Sequence, residues 1–160
     1  MKISALTCLI LLLARGVMQA QPAAPPGDTP HFDGVDQRGD KGMGFSHQMT
    51  HHHFYLSPDG GAIEVEANKR NDAASREAIR EHMAGIATMF AQGNFSLPMF
   101  IHAVEPPGMK TMQRLKGKIS YSAENTELGA QVRIKSADPE ALRAIHDFLR
   151  FQIDEHRTGD

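Results

Sequence analysis

The sequence predicts an α+β domain, a four-stranded antiparallel sheet with two helices on one face, in the order ββα–ββα. Three observations predict it. Residues 50–67 and 119–135 each read as a β-hairpin around a turn-forming segment. Each hairpin is followed by an apolar stripe of helical period with its own capping residue. Finally, 160 residues with 41% apolar and 22% charged composition make about one ordinary globular domain. Such a chain buries roughly two thirds of its unfolded surface and needs no staples.

The elements follow in order. Met1-Lys2, the apolar run Ile3 to Ala14 and the small residues up to Ala20 read as a secretory signal peptide over residues 1–20. The run is too short to span a bilayer and ends at Arg15. The expected location is periplasmic or secreted, with no membrane attachment after cleavage. Removing residues 1–20 leaves 140 residues, no Cys, all nine His, and 15 basic against 19 acidic side chains, a net charge of −4. Disulfides, thiolate ligands and a Cys nucleophile are thereby excluded. Residues 21–30 (QPAAPPGDTP) read as a disordered, Pro-rich leader, and residues 31–160 as a single α+β domain. Residues 31–48, with Gly34, Gly39, Gly42 and Gly44, read as irregular backbone ordered by Phe32, Val35, Met43 and Phe45.

Thr50 to Leu56 and Ala62 to Ala67 read as strands flanking the turn Ser57-Pro58-Asp59-Gly60-Gly61. Asp72 caps a helix from Ala73 to Gln92, striped by Ile79, Met83, Ile86 and Phe90 and stopped by Gly93. Met99 to Val104 reads as an extended segment or a fifth strand, and Met109 to Lys116 as a short helix. Ile119 to Ala123 and Ala130 to Lys135 form the second hairpin. Asp138-Pro139 opens the last helix, which carries Leu142, Ile145, Leu149 and Ile153 and runs to about His156. Gly61-Ala62 and Gly129-Ala130 open corresponding strands, a loose internal likeness between the two halves.

Function is less legible. The net charge of −2 lacks the basic footprint of a nucleic-acid binder. No nucleophile elbow, phosphate loop or calcium loop is present, and no catalytic residue is assigned. What stands out is histidine. Pairing Ser57 with Ala62 sets Phe54 against Val65 and His52 against Ala67 on an apolar face. Strand alternation then sends His51 and His53 to the outer face with Glu66. The first helix carries His82 within its stripe. The last carries His156 near the centre of its stripe and His146 at the edge. Two candidate metal sets follow: an outer one of His47, His51, His53 and Glu66, and an inner one of His52, His82, His102 and His146. Imidazole suits Zn and Cu, and Met43 and Met49 add thioethers that tilt the choice toward copper. The plain structural alternative is a solvated strand face with one His–Glu pair outside, and hydrogen-bonded core histidines inside. The functional expectation is an exported transition-metal binder. The alternatives are a metal-free ligand- or protein-interaction module, and a hydrolase built on His and carboxylates. On the last helix Phe148 and Phe151 lie off the main stripe. They suggest cover by residues 31–48 or a homodimer contact.

The stretch from Arg38-Gly39-Asp40 through Met43-Gly44-Phe45-Ser46-His47 to His52-His53-Phe54, and the ending from His146-Asp147-Phe148 to Thr158-Gly159-Asp160, resemble a family of small exported bacterial proteins with no assigned activity. The resemblance implies export and a single domain, and it carries no functional residue over.

Overall fold

The computed structural model describes residues 30–160; the signal-peptide reading and residues 21–29 of the leader lie outside them. Eleven segments follow one another along the described residues. Helix α1 is Pro30–Met43, followed by a 3-10 turn at His47–Met49. Strands β1 (Thr50–Ser57) and β2 (Gly60–Ala67) precede α2 (Ala73–Ala91), α3 (Ser96–His102) and α4 (Met109–Arg114). After a second 3-10 turn at Lys116–Lys118 come β3 (Ile119–Asn125), β4 (Gly129–Ser136) and α5 (Pro139–His156). The sheet is antiparallel throughout, in the order β1-β2-β4-β3. No helix among the described residues is long and apolar enough to cross a membrane.

The predicted α+β class and four-stranded sheet are therefore present, and the caps fall where the residues placed them. Asp72 accepts from Ser75 N at 3.0 Å to open α2. Asp138 accepts from the amides of Glu140 and Ala141 to open α5. Lys118 Nζ, 2.6 Å away, joins those amides in holding the Asp138 carboxyl down to about 2.

One face of the sheet carries Phe54, Ile63, Val65, Ala130, Val132 and Ile134, all buried. Against it pack Ile79, Met83, Ile86 and Phe90 of α2 and Ile145, Phe148 and Leu149 of α5. The helices are exchanged between the halves. Helix α2 follows β1–β2 but lies over β3 and β4, and α5 follows β3–β4 but lies over β1 and β2. Each also anchors the other half's turn. Arg80 of α2 donates to the carbonyls of Thr126 and Gly129, and His146 of α5 lies 2.9 and 3.0 Å from those of Ser57 and Gly60.

Three expectations are corrected. First, residues 31–48 are not irregular: most of them form α1, ended by Gly44 at φ +81° with its amide on Asp40 O. Glycine weakens a helix in isolation, but buried Val35 and Gly39 set α1 against α3 and α5. Second, residues 99–104 form no fifth strand, because Ser96–His102 is helical and buries Pro98, Ile101 and His102. Third, the first hairpin is tighter by two residues. Ser57 pairs with Gly60 and Phe54 with Ile63, leaving Pro58-Asp59 as the loop. Gly60 sits at φ +144°, which only glycine tolerates, so the strand begins two residues earlier, at Gly60 and not Ala62. A shift of two keeps every side chain on its expected face.

Candidate functional site

The inner histidines converge where β1, α1, α2, α3 and α5 meet. His52 leaves the core face of β1, and His82 comes from the middle of α2. His102 is the last residue of α3 and His156 the last of α5. The residue after each of these helix ends, Ala103 and Arg157, is a non-glycine in the left-handed region, at φ 56° and 55°. Both chains therefore turn sharply once the histidine is placed.

A cavity of about 60 Å³ lies between them, with His52, His82, His102, His156, Gln152 and the Met43 thioether among otherwise apolar walls. The His52 and His156 rings stack at 5.3 Å, and His102 meets His156 edge-on at 5.2 Å. His82 meets Phe45 edge-on at 5.4 Å. His52 Nε2 lies 3.2 Å from Met43 Sδ, joining β1 to α1. His102 Nε2 lies 2.9 Å from Gln152 Oε1. Of the buried side-chain atoms with no hydrogen-bond partner, two are at this cavity, Gln152 Nε2 and His102 Nδ1; the latter is 3.4 Å from Glu155 Oε2.

Burial keeps these imidazoles neutral. It lowers His52 to about 4, with the neighbouring His82 adding to the effect. Burial, then the proximity of His52 and His102, takes His156 well below its ordinary value. His82 falls for burial alone, and His102 falls for burial despite support from Gln152 and Glu155.

A separate surface pocket of about 300 Å³ adjoins the cavity, lined by Asp36, His47, His51 and His53. It shares His52 and His156 with the cavity, so the stacked pair forms the partition. His47 is fixed by Asp40, whose Oδ1 accepts from its backbone amide at 2.6 Å and lies 2.8 Å from its Nδ1. His53 Nδ1 lies 3.0 Å from the Asp160 carboxylate, which also accepts from the Phe54 amide.

No protein-family model, curated protein or solved structure matches this chain. Its chemistry has to be read from the side chains themselves.

Of the inner set, His52, His82 and His102 line one cavity. His146 does not, since it serves the β1–β2 turn. His156 takes its place. Its position in the α5 stripe was the available signal. Of the outer set, His51 stands opposite Glu66, but His53 stands opposite Glu64, as the two-residue register shift requires. His47 lies in the 3-10 turn and not on the strand. Among the described residues, no three His, Cys, Asp or Glu side chains are arranged to hold a metal ion. Phe148 is 1% exposed and packs with Phe90 and Phe95, so it offers no surface; Phe151 lies edge-on to His102 at 5.1 Å.

The Met43–His52 contact was not readable in advance. It joins a helix that the glycines concealed to a strand that alternation described correctly.

Proposed function

We propose that this is an exported protein that binds a soft metal ion, cuprous copper above all, between His52 Nε2 and Met43 Sδ. The observation that carries this reading is the 3.2 Å approach of those two atoms at the wall of an apolar cavity. Thioether and imidazole together select a soft ion, and cuprous copper accepts low coordination numbers. Zinc asks for about four ligands and hard cations for six or more oxygens, and neither set is assembled there. A neutral His52 can offer Nε2 to a metal once the ring hydrogen that Nε2 directs at the Met43 acceptor moves to Nδ1, and the apolar walls disfavour the more strongly hydrated cupric state. Met43 has three rotatable bonds, so its sulfur can swing away from His52 to admit an ion between them.

The test is competition against a chromophoric cuprous chelator under anaerobic, reducing conditions. One equivalent of copper is expected. His52→Ala abolishes binding, and Met43→Leu, a volume-conserving change, weakens it at least about tenfold while the fold persists. Undiminished binding by Met43→Leu, or no binding by the parent protein, rejects the reading.

A second reading, a metal-free interaction module, draws on the exposure of Met99, Phe100 and Val104, at 42, 44 and 49%, around the end of α3. It predicts concentration-dependent association in sedimentation, suppressed by Phe100→Ser.

A further inference from the structure

We propose that β3 is a homodimer interface: a second copy of this chain lays its own β3 antiparallel along it, so that the two sheets continue into one. This edge lies across the sheet from β1 and the histidine cavity, and the proposal does not rest on the metal reading. Strand β3 pairs with β4 on one side and with no strand on the other. The Thr126 amide donates to Gly129 O, which fixes the alternation of the backbone groups. Ser120, Ser122 and Glu124 turn theirs toward β4, whereas Tyr121, Ala123 and Asn125 turn their amides and carbonyls outward. Ile119 turns out its carbonyl alone, because its amide donates to Lys116 O. None of the described residues hydrogen-bonds these outward groups.

The two edges of the sheet are treated differently. At β1 the Asp160 carboxylate accepts from the outward Phe54 amide at 3.0 Å. At β3 no described side chain plays that part. Proteins ordinarily blunt a free edge with Pro, Lys, a bulge or a very short strand. Strand β3 has seven residues in unbroken register with β4, no Pro, Lys or Arg, and an exposed stretch over residues 122–125. Its one charge, Glu124, is held by Gln131 Nε2 at 2.9 Å. A regular edge of this kind is a template for another strand.

The occupant follows from how the strand fits itself. A two-fold axis through Ser122 sets Tyr121 against Ala123 of the second copy and Ile119 against its Asn125, so the whole strand is used. Tyr121 and Ala123 then exchange both backbone hydrogen bonds, and the Ile119 carbonyl accepts from the Asn125 amide. On the helix-covered side the Tyr121 ring, edge-on to Phe90 at 5.9 Å, adjoins the exposed Ala123, large against small. On the open side Glu124 faces Ser120 of the second copy. Lys118 of that copy lies on the diagonal, with ammonium hydrogens beyond the one directed at Asp138. The two Glu124 residues stand about 14 Å apart along the strands, so like charges do not oppose each other. An axis through Ala123 would instead bring them together diagonally, which charge repulsion disfavours.

The experiment is sedimentation velocity on the exported form, residues 21–160, from about 5 to 500 µM, a range suited to a small interface. A monomer–dimer equilibrium is expected. Ala123→Pro weakens it more than tenfold with an unchanged circular dichroism spectrum, because the Ala123 amide faces away from β4 and its loss removes no bond of the fold. Phe100→Ser leaves the equilibrium as it was. The exported form has no Cys, so a single Cys reports the register. Ser122 meets its own copy as a non-hydrogen-bonded pair, with Cα atoms about 4.5–5.5 Å apart, within disulfide reach. Under oxidised glutathione Ser122→Cys therefore cross-links into a dimer at least about tenfold faster than Glu124→Cys, whose copy lies about 14 Å away. A parent protein that stays monomeric throughout overturns the proposal. So does association that Ala123→Pro leaves intact, or cross-linking of Ser122→Cys no faster than that of Glu124→Cys. If Ala123→Pro fails to fold, the comparison of the two Cys variants decides.

Discussion

Ala103 and Arg157 show how single residues bear the cost of placing the site. Each follows a cavity histidine at the end of a helix, and each occupies left-handed backbone that disfavours a Cβ by about 1–2 kcal/mol. Glycine is the residue that such a position ordinarily takes. Ala103→Gly should therefore raise the thermal midpoint, with a net gain of about 0.5–1 kcal/mol once the greater freedom of glycine in the unfolded chain is subtracted. A differential scanning measurement checks this, and a lowered midpoint would contradict it. Arg157 makes a poor comparison because its side chain also meets Asp36 and Phe32. Gly60 and Gly61 present the converse case. A Cβ on Gly60 would overlap the Ile134 carbonyl, and one on Gly61 would overlap Leu149 and the Tyr55 carbonyl. The letters Gly-Gly announced a turn; that they also admit neighbouring chains at close range depends on strands and helices remote in sequence.

At the scale of elements, α1 is the weakest unit. It has three glycines in fourteen residues, each costing about 0.5–1 kcal/mol relative to alanine. Tertiary contacts hold it: Val35 at 1% exposure, Arg38 Nε donating to Ile101 O at 2.6 Å, and the His31–Glu155 contact at 2.8 Å. Val35→Ala should cost about 2 kcal/mol. In hydrogen exchange, residues 35–43 should lose protection before β2 and β4 do. Equal loss of protection across the sheet would show that α1 is not a separable unit. Because Met43 rides on α1, opening this helix also separates the sulfur from His52. The hairpins, α2 and α5 were legible in the sequence because their signals are local: alternation, turn residues, and Asp72 and Asp138 as caps. Helices α1 and α3 were not. In α1 intrinsic propensity opposed the helix, and in α3 the run Met99-Phe100-Ile101 satisfies strand and helix patterns alike.

For the whole molecule, the buried histidines set the response to acid. His52, His82, His102 and His156 all have lower proton affinity in the fold than in the unfolded chain. Below about pH 6.5 the unfolded state binds more protons, so stability falls as pH falls. For His52 the loss develops between 6.5 and about 4 and is complete below that. It amounts to at most about 3 kcal/mol, less a discount for the edge that faces the surface pocket. Carboxylates act in a lower window. Asp138, held at about 2, contributes stability that is present above 3.8 and disappears as pH falls toward 2. Urea unfolding of the metal-free protein should show midpoints that drop from pH 7 to pH 4.5, then drop again below pH 4. A flat profile down to pH 4.5 would mean that the imidazoles are not closed off from water. His52→Phe, which keeps an aromatic ring, should flatten the upper step.

The sequence by itself determined the α+β class, both hairpins, the two long helices and the inward direction of His52. These follow from period-2 and period-3.6 patterns and from side-chain caps, whose physics acts over a few residues. Only the tertiary structure decided that each long helix covers the other half's hairpin, that His146 serves a turn, and that Met43, His52, His82, His102 and His156 meet at one cavity. Those outcomes depend on contacts between residues as much as a hundred positions apart and more. There, packing against a shared core outweighs local propensity, and no spacing rule along the chain encodes which imidazole will face which sulfur.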